Sequence, residues 1–161
     1  MRAIAYRNGL SVVLVASIAA VLYASTGNTL NALAGLLAAG AGAMEVHGAS
    51  LLRRGFKQGM TWVIRAELLL LAVIWIYCGV RLAHPDLTEL RETFHASLQI
   101  PIMQKRWAEA QQLGLTEEQY LNAVYQLTNL GVAFATLLYQ GGMVIYYSRR
   151  QKAVEIALSQ E

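Results

Sequence analysis

The sequence predicts an all-α integral membrane protein: a bundle of four transmembrane helices with short amphipathic helices outside the membrane between the third and fourth spans. Three observations predict it. Of 161 residues, 56% are hydrophobic and only 14% charged, and the apolar residues come in blocks. Four blocks approach the roughly 20 residues needed to cross a hydrocarbon core of about 30 Å at about 1.5 Å per residue. Lys and Arg gather beside alternate block ends, as the positive-inside rule requires. With one hydrophilic stretch, residues 81–119, the whole of 1–161 reads as one membrane domain, without room for a separate soluble enzyme domain.

The first block, 9–24, is short and draws on its flanks. Arg2 and Arg7 before "LSVVLVASIAAVLY" also fit a secretory signal, but Leu22 is too large for the cleavage motif, so the segment is read as a helix. The second block, 29–52, is rich in small residues. Ala34, Ala38 and Gly42 form one row at four-residue spacing, and Gly35, Ala39 and Ala43 form another. Such rows let backbones approach closely in lipid, so this helix is expected at the packed centre. The third block, 60–80, contains "ELLLLAVIWIYCGV", bulky on every side, and is expected to face lipid over much of its surface.

In the outer segment, Pro85 and Asp86 can start a helix that places Leu87, Leu90, Phe94 and Leu98 on one side. A second piece follows Pro101, carries Trp107 as a headgroup-region residue and ends at Gly114. "TEEQ", Thr116 to Gln119, is a capping box ahead of the fourth span, 122–147, whose helix is expected to begin outside the membrane.

Basic residues precede the first span (Arg2, Arg7), join the second to the third (Arg53, Arg54, Lys57) and follow the fourth (Arg149, Arg150, Lys152). Both termini are therefore expected in the cytoplasm of a bacterial inner (plasma) membrane, with residues 81–119 outside. The net charge of +3 reports this topology and gives no basis for nucleic-acid binding. The lone Cys78 can form no internal disulfide, and there is no CxxC.

Four ionisable residues lie within the spans. Counted from Arg53, Glu45 lies about 12 Å inward and His47 about 9 Å. Counted from Gly59, Arg65 lies about 9 Å inward and Glu67 about 12 Å. Gln140 of the fourth span reaches a similar level, as does Ser17 of the first. A charge in the hydrocarbon costs at least about 2.5 to 3.5 kcal/mol, so these groups must face one another or water. Arg65 is expected to pair with one carboxylate, leaving the other near His47 or Gln140. With His47 neutral, the layer carries one net negative charge that a proton or cation would balance.

On the fourth span, Asn122, Gln126, Asn129, Ala133, Thr136, Gln140, Met143 and Tyr147 alternate by four and three, the spacing of a helix seam. This mostly polar or small seam fits either a water-filled path or interhelical hydrogen bonds, within the bundle or between protomers. Glu92 and His95 form Glu-x-x-His with Glu89 one turn earlier, a spacing used by helical metal sites. It is also the spacing of a solvated acidic face.

No HExxH, nucleophile elbow or P-loop is present, and haem ligation would need a second intramembrane His; an enzyme and a cofactor are not expected. Two readings of function remain. In one, the protein is a small homo-oligomeric channel or transporter in which Glu45, His47, Arg65 and Glu67 bind or relay a cation or proton and Gln126, Asn129, Thr136 and Gln140 line the route. In the other, it is an accessory membrane subunit whose polar layer fixes helix packing and whose residues 81–119 engage a membrane-protein partner.

Overall fold

A computed structural model describes residues 2–157, except for the side chains at 2–4, 155 and 157. Arg2, one of the basic residues used to orient the chain, thus has its side chain outside the described residues. The described chain is helical throughout: α1 (Arg2–Ser25), α2 (Thr29–Arg53), α3 (Gln58–Ala83), α4 (Thr88–Ser97), α5 (Pro101–Gln112) and α6 (Glu117–Ala157). Four of these, α1, α2, α3 and α6, are long and apolar enough to cross a membrane. The described residues divide into two compact units, 2–77 with 134–157, and 78–133.

In the first unit, α1, α2 and α3 follow one another through short turns. Asn28 caps α2, its Oδ1 accepting from the Asn31 N–H at 3.2 Å. The small residues then set how near the helices come. A Cβ on Gly42 would lie 2.8 Å from the Gly9 carbonyl oxygen and 2.9 Å from the Val13 nitrogen, so α1 and α2 touch backbone to backbone here. One on Gly35 would lie 3.0 Å from the Ala16 carbonyl. The α1 contact runs through Gly35 and Gly42, seven residues apart and drawn one from each of the two small rows. Gly48 makes the equivalent contact with α3, where its Cβ would lie 2.8 Å from the Gly59 carbonyl.

The starts of α1 and α3 and the ends of α2 and α6 share one core. Ala5, Ala49, Leu52, Met60, Val63 and Tyr147 form it, with Tyr6, Ile64, Met143 and Val154 packed around. Neighbouring helices in this unit therefore alternate in direction. α3 is more one-sided than its bulky sequence suggests. Met60, Val63, Ala66, Glu67, Leu70 and Val73 are buried at helical spacing, while Leu68, Leu69, Trp75 and Ile76 are exposed. At the other end, the Tyr77 hydroxyl donates to Asn31 Oδ1 at 2.8 Å.

The second unit is organised around Phe94. Its ring meets Trp107 edge-on at 5.4 Å and Tyr120 at 5.7 Å, and the last two lie 5.5 Å apart. Trp107 is thus a member of this aromatic cluster. Arg81 Nε donates to the Tyr125 hydroxyl at 2.9 Å, which in turn donates to the Arg81 carbonyl at 3.1 Å. The Thr116 capping box closes in both directions: its N–H donates to Gln119 Oε1 at 3.0 Å, and its Oγ1 accepts from the Gln119 N–H at 3.3 Å. α4 begins at Thr88, later than Pro85, because Asp86 turns its carboxylate onto the Thr88 N–H at 3.0 Å.

Two expectations follow. Gly42→Ala should destabilise the purified protein by about 1 to 3 kcal/mol, because overpacking a backbone contact outweighs the gain in helix propensity. Gly40→Ala, with open space around its Cβ, should be neutral or stabilising in the same denaturation series. The backbone bond from Thr88 also holds the Asp86 carboxyl below the ordinary carboxylate range. A lowered folded value means that its contribution is complete above the unfolded value, about 3.9, and is lost as pH falls through the lower folded one. The protection factor of the Thr88 amide should accordingly fall over that acid window, and Asp86→Ala should remove that fall.

Candidate functional site

Of the polar residues expected at one level, the structure brings Glu45 and Glu67 together in the first unit, which is not the pairing expected from the sequence. Glu45 of α2 and Glu67 of α3 are both buried, at 2% and 1% exposure, and their carboxyl groups interact directly. Arg65 is exposed and forms no ion pair among the described residues. The reason is helical geometry: residues two apart point about 200° apart, so Glu67 and Arg65 cannot both face α2. The same rule separates His47 from Glu45. His47 is exposed, with its ring edge-on to Trp62 at 5.3 Å. Ser17 is also exposed. Without Arg65, the layer has two carboxyl groups and no cationic side chain in contact with them among the described residues.

α1 supplies the main donor. Asn8 Nδ2 donates to both Glu45 oxygens, at 3.2 Å to Oε1 and 3.0 Å to Oε2, and Asn8 Oδ1 accepts from the Tyr139 hydroxyl of α6 at 3.3 Å. Neither Asn8 nor Tyr139 was singled out by the sequence reading. Treating Gly9 as the start of the first span left Asn8 outside it, whereas α1 begins at Arg2 and puts Asn8 about 9 Å along the helix, at the level of the carboxyl pair. Counting helix starts from the first basic residue would have found it.

Glu67 is treated differently from Glu45. Neither of its carboxyl oxygens finds an N–H donor, and the buried Gln140 Oε1 and Tyr147 hydroxyl have no hydrogen-bond partner either. Gln140 and Tyr147 are seven residues apart and share a face of α6. The Tyr147 hydroxyl lies within electrostatic reach of both carboxyl groups.

The remaining seam residues fall in different places. Asn129 is buried and back-bonds through Nδ2 to the Tyr125 carbonyl at 2.8 Å. Gln126 is exposed, its Nε2 donating to Asn122 Oδ1 at 3.4 Å, and Thr136 is half-buried. On α4, Glu89, Glu92 and His95 are exposed. Among the described residues no group of three His, Cys, Asp or Glu side chains is placed to hold a metal ion. His95 Nε2 instead lies 3.2 Å from Glu117 Oε1, which also takes Arg91 Nε at 3.5 Å. The spacing was that of a metal motif, but its partner is an acidic residue across the unit.

A second feature is a largely apolar groove of about 210 Å³ at the other end of the first unit, lined by small residues of α1 and α2 together with Tyr23 and Asn31, and by Val73, Ile74 and Tyr77 of α3. It does not reach Glu45 or Glu67. Comparison of the chain with protein-family models, with curated proteins and with solved structures found no match.

Replacing the donor tests how the layer is held. Asn8→Leu, which keeps the branching of the side chain but removes both bonds to Glu45, should lower stability by about 1.5 to 3 kcal/mol, the usual worth of hydrogen bonds to a charged group. Denaturation of the purified protein reads it, and Asn8→Asp should be at least as damaging because it adds a third carboxyl.

Proposed function

We propose that the protein is a small membrane-spanning channel or transporter of the four-span class, and that it binds and passes a proton or cation at the Glu45–Glu67 pair. The single observation that carries this reading is Glu67. A carboxyl group 1% exposed, facing another carboxyl and lacking any N–H donor, is a costly arrangement for a group whose only task is to hold helices together. A purely structural layer would place a donor or a cation there, as Asn8 does for Glu45.

In this reading the four long helices cross a bacterial inner membrane with both termini in the cytoplasm, on the grounds of the Lys and Arg distribution. Of the α6 seam, Gln140 and Tyr147 are buried within the first unit and Asn129 within the second. Homo-oligomers would therefore assemble through exposed apolar faces, such as Leu14, Ile18 and Leu22 of α1. Arg65 and His47 would act at the rim, not as ligands.

The near-complete burial of both carboxyl groups favours a second reading on its own account. A closed polar layer also suits an accessory subunit in which the pair fixes helix register and residues 81–119 bind a membrane-protein partner. Flux separates the two. Reconstituted liposomes carrying an imposed proton or alkali-cation gradient should show protein-dependent flux, and Glu67→Gln should lower it at least about tenfold while far-UV spectra and melting remain close to wild type. The accessory reading expects no flux from the folded wild type, with the effect of the substitution confined to stability and assembly.

A further inference from the structure

The two ionisable residues that the carboxyl pair leaves aside, His47 and Arg65, lie on one outer face of the first unit. Trp62 links them. Its ring meets that of His47 edge-on at 5.3 Å, across from α3 to α2. Arg65 stands three residues further along α3, on the same side of that helix as Trp62. His47 and Arg65 are exposed there and Trp62 is half-buried. Arg54, also exposed, follows His47 by seven residues and so lies two turns above it on the same face of α2.

This face is basic without compensation. From residue 46 to residue 66 the chain carries Arg53, Arg54, Lys57 and Arg65 and no Asp or Glu. Of the acids whose side chains are described, Glu45 and Glu67 are buried and the rest lie in the second unit. The ion pairs among the described residues are those of Glu117 with Arg91 and His95.

Depth and charge together narrow the partner. Arg65 lies about 9 Å inward of Gly59, where an exposed guanidinium faces lipid unless it reaches the headgroup level or draws an anion to itself. A second copy of the chain has no exposed, described acid in its first unit to offer. A phospholipid brings a phosphate, which a guanidinium can bind through two parallel N–H donors, and chains to cover the apolar surface below. That surface is present. Ala43 and Gly40 continue the His47 face of α2, both exposed and with open space beside Gly40, and exposed Leu69 continues the Arg65 face of α3. A zwitterionic headgroup would carry its own cation into a patch already rich in them, whereas an anionic one would not.

We propose that His47, Arg54, Trp62 and Arg65 form a binding site for the phosphate headgroup of an anionic phospholipid, whose acyl chain follows Ala43 and Gly40 along α2. Basic pockets between spanning helices suit such headgroups. The site needs only that α2 and α3 cross a bilayer, and it is the same whether the protein passes ions or serves as an accessory subunit.

Native mass spectrometry of the intact protein, titrated with phosphatidylglycerol or with phosphatidylcholine of the same acyl chains, tests this. The expected result is a first saturable step that phosphatidylglycerol fills more tightly than phosphatidylcholine. Arg65→Gln should weaken that step about fivefold or more, the effect of one basic residue beside an anionic headgroup. Arg65→Lys should restore part of it, because Lys keeps the charge and loses the two-pronged geometry. His47→Leu, on the other helix, should weaken it too. Both positions are exposed, so melting of these variants should stay near wild type. Arg149→Gln combined with Lys152→Gln, on α6 and outside the site, should leave the first step unchanged.

Equal affinity for the two lipids, or a preference that follows the α6 residues and not Arg65, would overturn the site. Displacement of the lipid by excess inorganic phosphate would overturn the lipid assignment and leave a site for a free anion. Lipid-free dimers that dissociate on Arg65→Gln would put a second copy of the chain in the lipid's place.

Discussion

The carboxyl pair exists because three helices touch at their backbones. Gly9 against Gly42 joins α1 to α2, and Gly48 against Gly59 joins α2 to α3. Glu45 lies one turn from Gly42 and from Gly48, so both contacts close around it. In lipid there is no hydrophobic force between helices to exploit, and close backbone approach is one of the few sources of association. The same approach brings Asn8 within 3.0 Å of Glu45 and sets Glu67 against it. Larger side chains at the glycines would separate the helices and leave both carboxyl groups facing hydrocarbon.

Much of this was legible in the sequence, for reasons that can be named. Block length and hydropathy located the long helices because backbone hydrogen bonding in lipid leaves few alternatives to an apolar helix of that length. Depth counted from Arg53 and Gly59 put Glu45 and Glu67 at the same level because rise per residue is nearly fixed. The Thr116 box was readable since it is wholly local, each bond linking residues three apart.

What depth could not supply was azimuth. Four ionisable groups at one level suggested a salt bridge, yet Arg65 and Glu67 share a helix two residues apart, and only one can face inward. The periodicity of α3 already held the answer: Met60, Val63, Glu67 and Leu70 form a helical stripe, and Arg65 lies off it. Asn8 was missed for a different reason. Hydropathy finds where a span is apolar, not where its helix begins, and a polar residue in the first turns looks like a flank. The Glu92 and His95 spacing left two readings open because helical i, i+3 geometry is shared by metal sites and by solvent-facing acidic faces, and the sequence could not place Glu117 beside His95.

Burial of the pair constrains any mechanism that uses it. Toward the end where α1 begins, Ala5, Ala49, Leu52, Met60, Val63 and Tyr147 pack without a charged side chain among them. Toward the other end, the Tyr77 hydroxyl donates to Asn31, and both residues line the groove. In the transport reading, a proton or ion at Glu67 would be enclosed on both sides, and reaching either face of the membrane would require one of these layers to open. The two are unequal. The first is a close-packed core that includes a Tyr147 hydroxyl without a hydrogen bond, so displacing α6 sacrifices no polar contact of that residue. The second is fastened by a 2.8 Å hydrogen bond but already contains free space. A conformational cycle that moves α6 at one end and α3 at the other would expose the same carboxyl group alternately, while the glycine contacts of α1 and α2 keep Glu45 and its Asn8 donors fixed as the reference point.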